Sequence, residues 1–439
     1  MLKRLLGSGR FTVSIDAWKA RVVFWAGAGM VGLVAAFFAE IAVYANELFR
    51  TLLGISPYLP FLVAPGGLVL TAWLTKRYFP GSQGSGIPQA IAALDMREQF
   101  MRERLLSMRI VLGKILLTVV GLLSGASIGR EGPTVHVGVG IMFYLGRLAK
   151  FPHHYMDRGL ILAGGAAGIA AAFNTPIAGI VFAIEELSRS FEERTSGTLL
   201  TAVLLAGITS IAVLGNYTYF GSTNSELGFS SAWLAVLICG VAGGLLGGLF
   251  SFLIIWGTRR LRTVYLHHPL LLAGICGLII ALVGLLSGDR TFGSGYYAAR
   301  ELVLGTGTVS AWFPYLKMVA NLASYLSGIP GGLFAPALAA GAGLGAHIAE
   351  WFPHAPASAI VILGMVGYFS GVVQTPITAF VIVMEMTNNH GLLLPLMATS
   401  FIGYLTSRLV QPTPIYQALS ENFRPAAAAE PQKPTDASA

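Results

Sequence analysis

Two carboxylates in apolar surroundings are the first candidates for chemistry. Glu131 stands in "GREGP" between Gly129 and Pro133, and Glu186 ends the apolar run "TPIAGIVFAIEE". Acids in such settings gate ion paths or relay protons more readily than they decorate a surface. Near them in kind are stretches rich in glycine and proline: "GSGIPQ" with Gly84, Ser85, Gly86 and Pro88; "GREGP" with Gly129, Arg130, Gly132 and Pro133; "GIPGGLFAP" with Gly332, Leu333 and Phe334; and "PTPIY", ending at Tyr416. Glycine lets backbone approach closely and proline suits a first helical turn, so each stretch reads as a helix start or tight turn. A helix N-terminus leaves N–H donors free and carries about half a positive charge. Several such ends aimed at one point form an anion site, to which Ser85 and Tyr416 would add hydroxyl donors. A site of partial charges can also release its ion, whereas a buried Arg or Lys would hold it too tightly for rapid passage.

The elements that position these residues belong in a bilayer. The 439-residue chain is 55% hydrophobic and 11% charged, with a mean hydropathy of +0.70. A soluble domain has about 25% charged residues. Uncharged runs at 22–39, 195–225, 227–258 and 269–288 each reach the length of a spanning helix. Other apolar runs are cut by Gly and Pro, which predicts helices that stop part-way, tolerated only where backbone lines a polar cavity or is buried in protein. The expected class is therefore an all-α polytopic membrane protein with many tilted and broken helices.

The net charge of +8 does not point to nucleic acid, because the basic residues gather at span ends. Lys3, Arg4, Arg10, Lys19 and Arg21 precede the first span and Arg259, Arg260 and Arg262 follow a later one. That asymmetry predicts a basic cytoplasmic segment at 1–20 and a cytoplasmic N-terminus in a multi-pass membrane protein. The first span is too long for a signal-peptide core, so no cleaved leader is expected. Cys239 and Cys276 lie in apolar spans without CxxC spacing and read as small buried side chains. Residues 417–439 read as a short disordered cytoplasmic tail without a regulatory domain.

The chain repeats itself. "NTPIAGIVFAIEE" from Asn174 returns 200 residues later as "QTPITAFVIVMEM" from Gln374, and the same offset sets Leu122, Ser124, Ser127 and Gly132 on Leu322, Ser324, Ser327 and Gly332. Residues 21–215 and 228–416 are thus two halves of one duplicated unit, a transporter pattern. Glu185 has a counterpart in Glu385 and reads as helix-end structure. Glu131 falls opposite Gly331 and Glu186 opposite Met386, so each of these acids exists in one half only.

With "GSGIPQ", "GREGP", "GGLFAP", the "TPIAGIVFAIEE" helix and the terminal "PIY" in this order, the sequence from about Ala26 to Tyr416 resembles the CLC chloride channels and transporters. The resemblance implies two inverted-topology repeats and a homodimer with one pore per subunit. It implies a central chloride held by Ser85, Tyr416 and the N–H groups of Leu333 and Phe334. It makes Glu131 the gate, a tethered anion that competes with chloride when ionised and swings out when protonated, and Glu186 the cytoplasmic proton entry of an exchanger. Chloride, protons and lipid are then the partners, with no cofactor and no metal.

Alternatives stand beside these roles. Glu131 could pair with Arg130 or Lys114 or cap a helix, and Glu186 could pair with Arg189 three residues on. His136 either tunes Glu131 or is a hydrogen-bonded core residue. His153, His154, His267 and His268 form adjacent pairs that do not face one another on a helix, which argues against a metal site. The family often has acids where this chain has Gln89 and Ile91, which leaves the role of Lys114 open. Ser85 matches chloride-selective members, and intact "GREGP" with Tyr416 argues against the fluoride-exporting branch. A chloride/proton antiporter is the first expectation and a passive chloride channel of the same fold the second. An intramembrane enzyme is remote, since no HExxH, GxSxG or nucleophile with a neighbouring base is present.

Overall fold

The computed structural model describes residues 15–96, 98–149, 153–189, 193–228 and 232–424. The basic residues Lys3, Arg4 and Arg10, and the tail from 425 onward, lie outside the described residues. In the first half the helices are α1 Ile15–Ile55, α2 Pro60–Tyr78, α3 Ile87–Asp95, α4 Gln99–Leu105, α5 Met108–Leu123, α6 Glu131–Leu148, α7 His153–Phe173, α8 Pro176–Phe182 and α9 Glu193–Leu214. The second half has α10 Trp233–Arg260, α11 Arg262–His267, α12 Pro269–Leu286, α13 Tyr296–Val303, α14 Phe313–Leu326, α15 Phe334–Ala349, α16 Ala357–Val373, α17 Pro376–Thr387, α18 Leu393–Val410 and α19 Ile415–Ser420.

Among the described residues, five stretches are long and apolar enough to cross a membrane: Arg21–Ile55, Gln99–Leu123, Trp233–Arg260, Pro269–Leu286 and Leu393–Val410. Phe334–Ala349, Ala357–Val373 and Pro376–Thr387 are apolar but shorter, so the broken helices read from the sequence are present. The uncharged run at 195–225 is helical only to Leu214; Gly215 then turns left-handed (φ 80°) and an irregular linker follows.

The duplication is visible in the caps. Asn174 and Gln374, 200 positions apart, both end a helix in the left-handed conformation, with φ of 57° and 58°. Each is followed by Thr-Pro, and the proline opens the next helix, α8 or α17. The Glu185 carboxylate accepts from the N–H groups of Ile377 (3.1 Å) and Thr378 (2.6 Å), while Glu385 accepts from Ile177 (3.2 Å) and Ala178 (2.7 Å). Glu185 and Glu385 thus cap the opposite helix, satisfying donors that a helix start leaves free. Reciprocal capping requires α8 and α17 to run antiparallel, the arrangement produced by a two-fold axis perpendicular to both.

Small residues let the helices close. Gly164 on α7 sits so near α6 that an added methyl would come within 2.5 Å of the Gly138 carbonyl, and Gly364 on α16 packs as tightly on Gly345 of α15. Such contacts replace the hydrophobic drive that lipid does not supply between helices.

The segment from 417, expected to be disordered, begins as structure. Helix α19 runs to Ser420 and a short 3-10 turn to Phe423, with Leu419 and Ser420 buried and Arg424 paired with Asp95. Alternation of apolar Ala418 and Leu419 with polar neighbours was too brief to separate this turn from the low-complexity sequence after it.

Candidate functional site

Three glycine-rich loops meet at one place, and backbone hydrogen bonds lace them together. Gly84 donates to the Ile329 carbonyl (3.0 Å) and accepts from Gly331 (3.1 Å). Gly129 and Gly332 exchange both bonds, at 2.8 and 2.7 Å. The Ser127 N–H reaches the hydroxyl of Ser324 at 2.8 Å, so the two halves touch through equivalent segments. This knot brings the starts of α3, α6 and α15 together, as the glycine and proline pattern implied.

Gly86 caps α3 with φ 101°, and a Cβ there would lie 2.6 Å from the His136 Cβ and 2.9 Å from the Gly132 carbonyl. Only glycine lets α3 approach the first turn of α6 this closely. Pro88 occupies the first turn of α3. On the next helix Glu131 itself is the first residue, with Gly132 and Pro133 inside the first turn. Leu333 caps α15 and Phe334 begins it, both buried.

Ser85 and Tyr416 are fully buried, and neither hydroxyl has a hydrogen-bond partner of ordinary geometry, although the two lie close together. A buried hydroxyl without a partner forgoes free energy that a bound acceptor would restore. The Phe334 ring stacks on Phe173, meets Phe369 edge-to-face and approaches Tyr416 with ring centroids 5.9 Å apart, so aromatic side chains pack beside the Tyr416 hydroxyl.

Glu131 is buried, at 1% exposure, and does not fill that pocket. Its Oε1 accepts from the Tyr219 hydroxyl at 3.1 Å. Its Oε2 folds back over Gly129 beside the N–H groups of Glu131 and Ala335, yet no donor completes a hydrogen bond to it. The carboxylate therefore sits over the starts of α6 and α15, one step from the Ser85 and Tyr416 hydroxyls. It lies at the edge of a cavity of about 330 Å³ lined in part by Arg130, Tyr217, Tyr219, Tyr296 and Arg300. Among the described residues no ion pair joins Glu131 to Arg130 or Lys114.

Glu186 lies in a single wide turn, Ala183–Ser188, that continues α8 with π-helical bonding. Such turns insert a residue into the ladder and occur often at functional sites. The side chain is 1% exposed and neither carboxylate oxygen has a hydrogen-bond partner. Arg189, the expected alternative partner, turns left-handed after the helix and reaches Gln417 on α19. Tyr416 stands within electrostatic reach of both Glu186 and Glu131. A second cavity, of about 510 Å³, opens beside Glu185, Arg189, Thr375 and Pro414.

The supporting cast answers the open assignments. The Lys114 ammonium, fully buried, donates to the carbonyls of Gly84 (2.9 Å) and Gln83 (3.3 Å), and Gln89 donates to those of Gln83 (2.7 Å) and Gly81 (3.1 Å). Both brace the loop behind Ser85, so Lys114 needs no acid at position 89. His136 bonds the Leu105 carbonyl through Nε2 at 3.1 Å, as a core histidine does. Lys317 repeats the Lys114 arrangement on the carbonyls of Thr291 (2.9 Å) and Gly293 (2.7 Å), behind a second "GSG" at 293–295. That copy lies 209 positions after the first and escapes a search at a fixed offset of 200. Tyr219 was also missed, because it lies in the irregular linker and belongs to no motif.

Residues 66–408 match the family model described as voltage gated chloride channel. An H(+)/Cl(-) exchange transporter ClcA from Vibrio cholerae serotype O1 is 30% identical, with 89% of this chain and 86% of that protein covered. The protein of the same name from Yersinia pestis bv. Antiqua is 29% identical over 82% of this chain and 77% of its own length. Among solved structures, a slow cyanobacterial Cl-/H+ antiporter superposes with a TM-score of 0.80 at 25% identity, covering 92% of this chain and 97% of that one. A CLC-type fluoride/proton antiporter gives 0.78 at 23% identity, covering 92% and 98%, a likeness of fold.

Proposed function

The chain belongs to the voltage gated chloride channel family, and we propose that it exchanges chloride for protons across the membrane, with Glu131 as the gate and Glu186 as the internal proton relay. Chloride would rest against the free hydroxyls of Ser85 and Tyr416 and the N–H groups that open α15. The Glu131 carboxylate, seated over the starts of α6 and α15, takes the adjoining place along the same path. Ionised, it opposes the passage of an anion. Protonated, it loses its attraction to the helix ends and leaves the path free.

The observation that carries the exchanger reading is Glu186, a buried carboxylate with no ion pair to Arg189, beside which the Thr375 hydroxyl lies without completing a hydrogen bond of ordinary geometry. A purely structural acid would be paired. The cavity beside Glu185 and Thr375 supports a water route to it, and Tyr416 stands near both acids. The relatives named as H(+)/Cl(-) exchange transporters favour a transporter over an enzyme.

The same reading makes the protein a homodimer in the inner membrane, with both termini cytoplasmic and one pathway per subunit. In support, the edge where α8 meets α17 leaves Ile177 and Ile377 exposed on either side of the reciprocal caps. The test is purified protein in liposomes under a chloride gradient, with chloride and pH electrodes together. Uphill proton movement is expected in the wild type, and Glu186→Ala should abolish it while chloride flow persists. Proton movement absent from the wild type leaves a passive channel instead.

A further inference from the structure

Tyr219 lies in the linker between the halves, yet its hydroxyl meets Glu131 Oε1 at 3.1 Å and its side chain is buried. The backbone around it is fixed. Phe220 donates to the Met386 carbonyl (2.9 Å), Thr223 to that of Thr387 (3.2 Å), and Asn174 to that of Tyr217 (2.8 Å). The ring is held edge-on by Phe173, Phe220 and Tyr296, with centroids 5.3, 4.9 and 5.0 Å away. It therefore cannot follow the glutamate when that side chain swings out, and the hydrogen bond must break.

We propose that Tyr219 is a latch on the gate: its hydroxyl holds the ionised Glu131 carboxylate in its seat and so sets the acidity at which anion flow is released. This rests on the reading of Glu131 as the gate. An ionised carboxylate only accepts, so Tyr219 must donate to it, and a charge-assisted bond is about twice as strong as a neutral one. Protonated Glu131 brings its own donor and loses that advantage. The other charged or titratable groups around Glu131 are Arg130, Tyr217, Tyr296, Tyr297 and Arg300, with Glu40 across the cavity and Tyr416 on the inner side. Among the described residues, Tyr219 is the side chain that reaches the carboxylate at hydrogen-bond distance.

Tyr219→Phe removes the hydroxyl and keeps the ring. In liposomes, the midpoint of acid-activated chloride flux should move toward alkaline pH by about one unit, equivalent to a tenfold loosening of the seated carboxylate. In detergent, chloride titration at neutral pH should show roughly tenfold tighter binding, because the competing anion is less firmly held; this reading needs only folded protein. In the Glu131→Gln background, Tyr219→Phe should change neither quantity. A wild-type pH profile and wild-type chloride affinity in Tyr219→Phe, or the same shifts without Glu131, overturn the latch. Glu131→Gln with undiminished pH dependence overturns instead the gate reading beneath it.

Discussion

Glu185 and Glu385 provide a controlled comparison, because the duplication gives them the same bonds but different neighbours. Each accepts two N–H groups from the opposite half, at 3.1 and 2.6 Å for Glu185 and 3.2 and 2.7 Å for Glu385. Loss of such a cap costs about 0.5–2 kcal/mol. The matching geometry predicts costs for Glu185→Ala and Glu385→Ala within about 0.5 kcal/mol of each other, additive only if the two caps act independently. Transport should not follow this symmetry. Glu185 precedes Glu186 in the π-bonded turn, and its two bonds tie that turn to α17. Glu385 precedes Met386, which carries no proton. Glu185→Ala should therefore slow proton movement several-fold more than chloride movement, whereas Glu385→Ala lowers thermal stability equally and leaves the proton-to-chloride ratio intact. Melting in detergent checks the first half and paired electrodes on liposomes the second. Equal damage to coupling in both variants refutes the argument, as do unequal melting shifts.

Two further substitutions probe the pocket itself. Tyr416→Phe deletes a hydroxyl that has no protein partner of ordinary geometry, so stability should hold while chloride affinity by calorimetry falls by a factor of about 2–13, the worth of one net hydrogen bond of about 0.5–1.5 kcal/mol. Gly86→Ala must carry a side chain at φ 101° and push against His136 and Gly132, which costs about 1–3 kcal/mol in backbone strain before any clash; wild-type melting and chloride binding in this variant would contradict the packing described.

Legibility in the sequence followed the kind of physics each feature depends on. Membrane class and broken helices rest on composition and on Gly and Pro, which act locally, and both were readable. The Gly- and Pro-rich helix starts, with Ser85 and Tyr416, read as parts of one anion site from residue type alone, but the backbone donors Leu333 and Phe334 were named only through the family resemblance, since residues 85, 333 and 416 are joined by the fold and not by spacing. Tyr219 was out of reach: a tyrosine in an uncharged linker has no pattern, and its role exists only once Phe220 and Thr223 are pinned to the end of α17. The role of Lys114 stays open in the sequence for a related reason. Acids are absent at 89 and 91, but backbone carbonyls of a tight loop satisfy the ammonium, and no sequence pattern shows them.

The division between what is duplicated and what is not has a physical cause. Caps, glycine contacts and buried lysines recur in both halves because a two-fold frame needs each helix end and each close crossing satisfied twice. The gate and the relay proposed here need not recur, since one carboxylate of each kind serves one pathway. On the reading proposed for Glu131, a glutamate in place of Gly331 would put a second tethered anion at the same knot, and like charges there would favour keeping one of them protonated, which would uncouple anion release from arriving protons. The acids at 131 and 186 and the hydroxyl of Tyr219 therefore fall where the repeat is broken: position 131 against glycine, 186 against methionine, and 219 in a linker that has no counterpart.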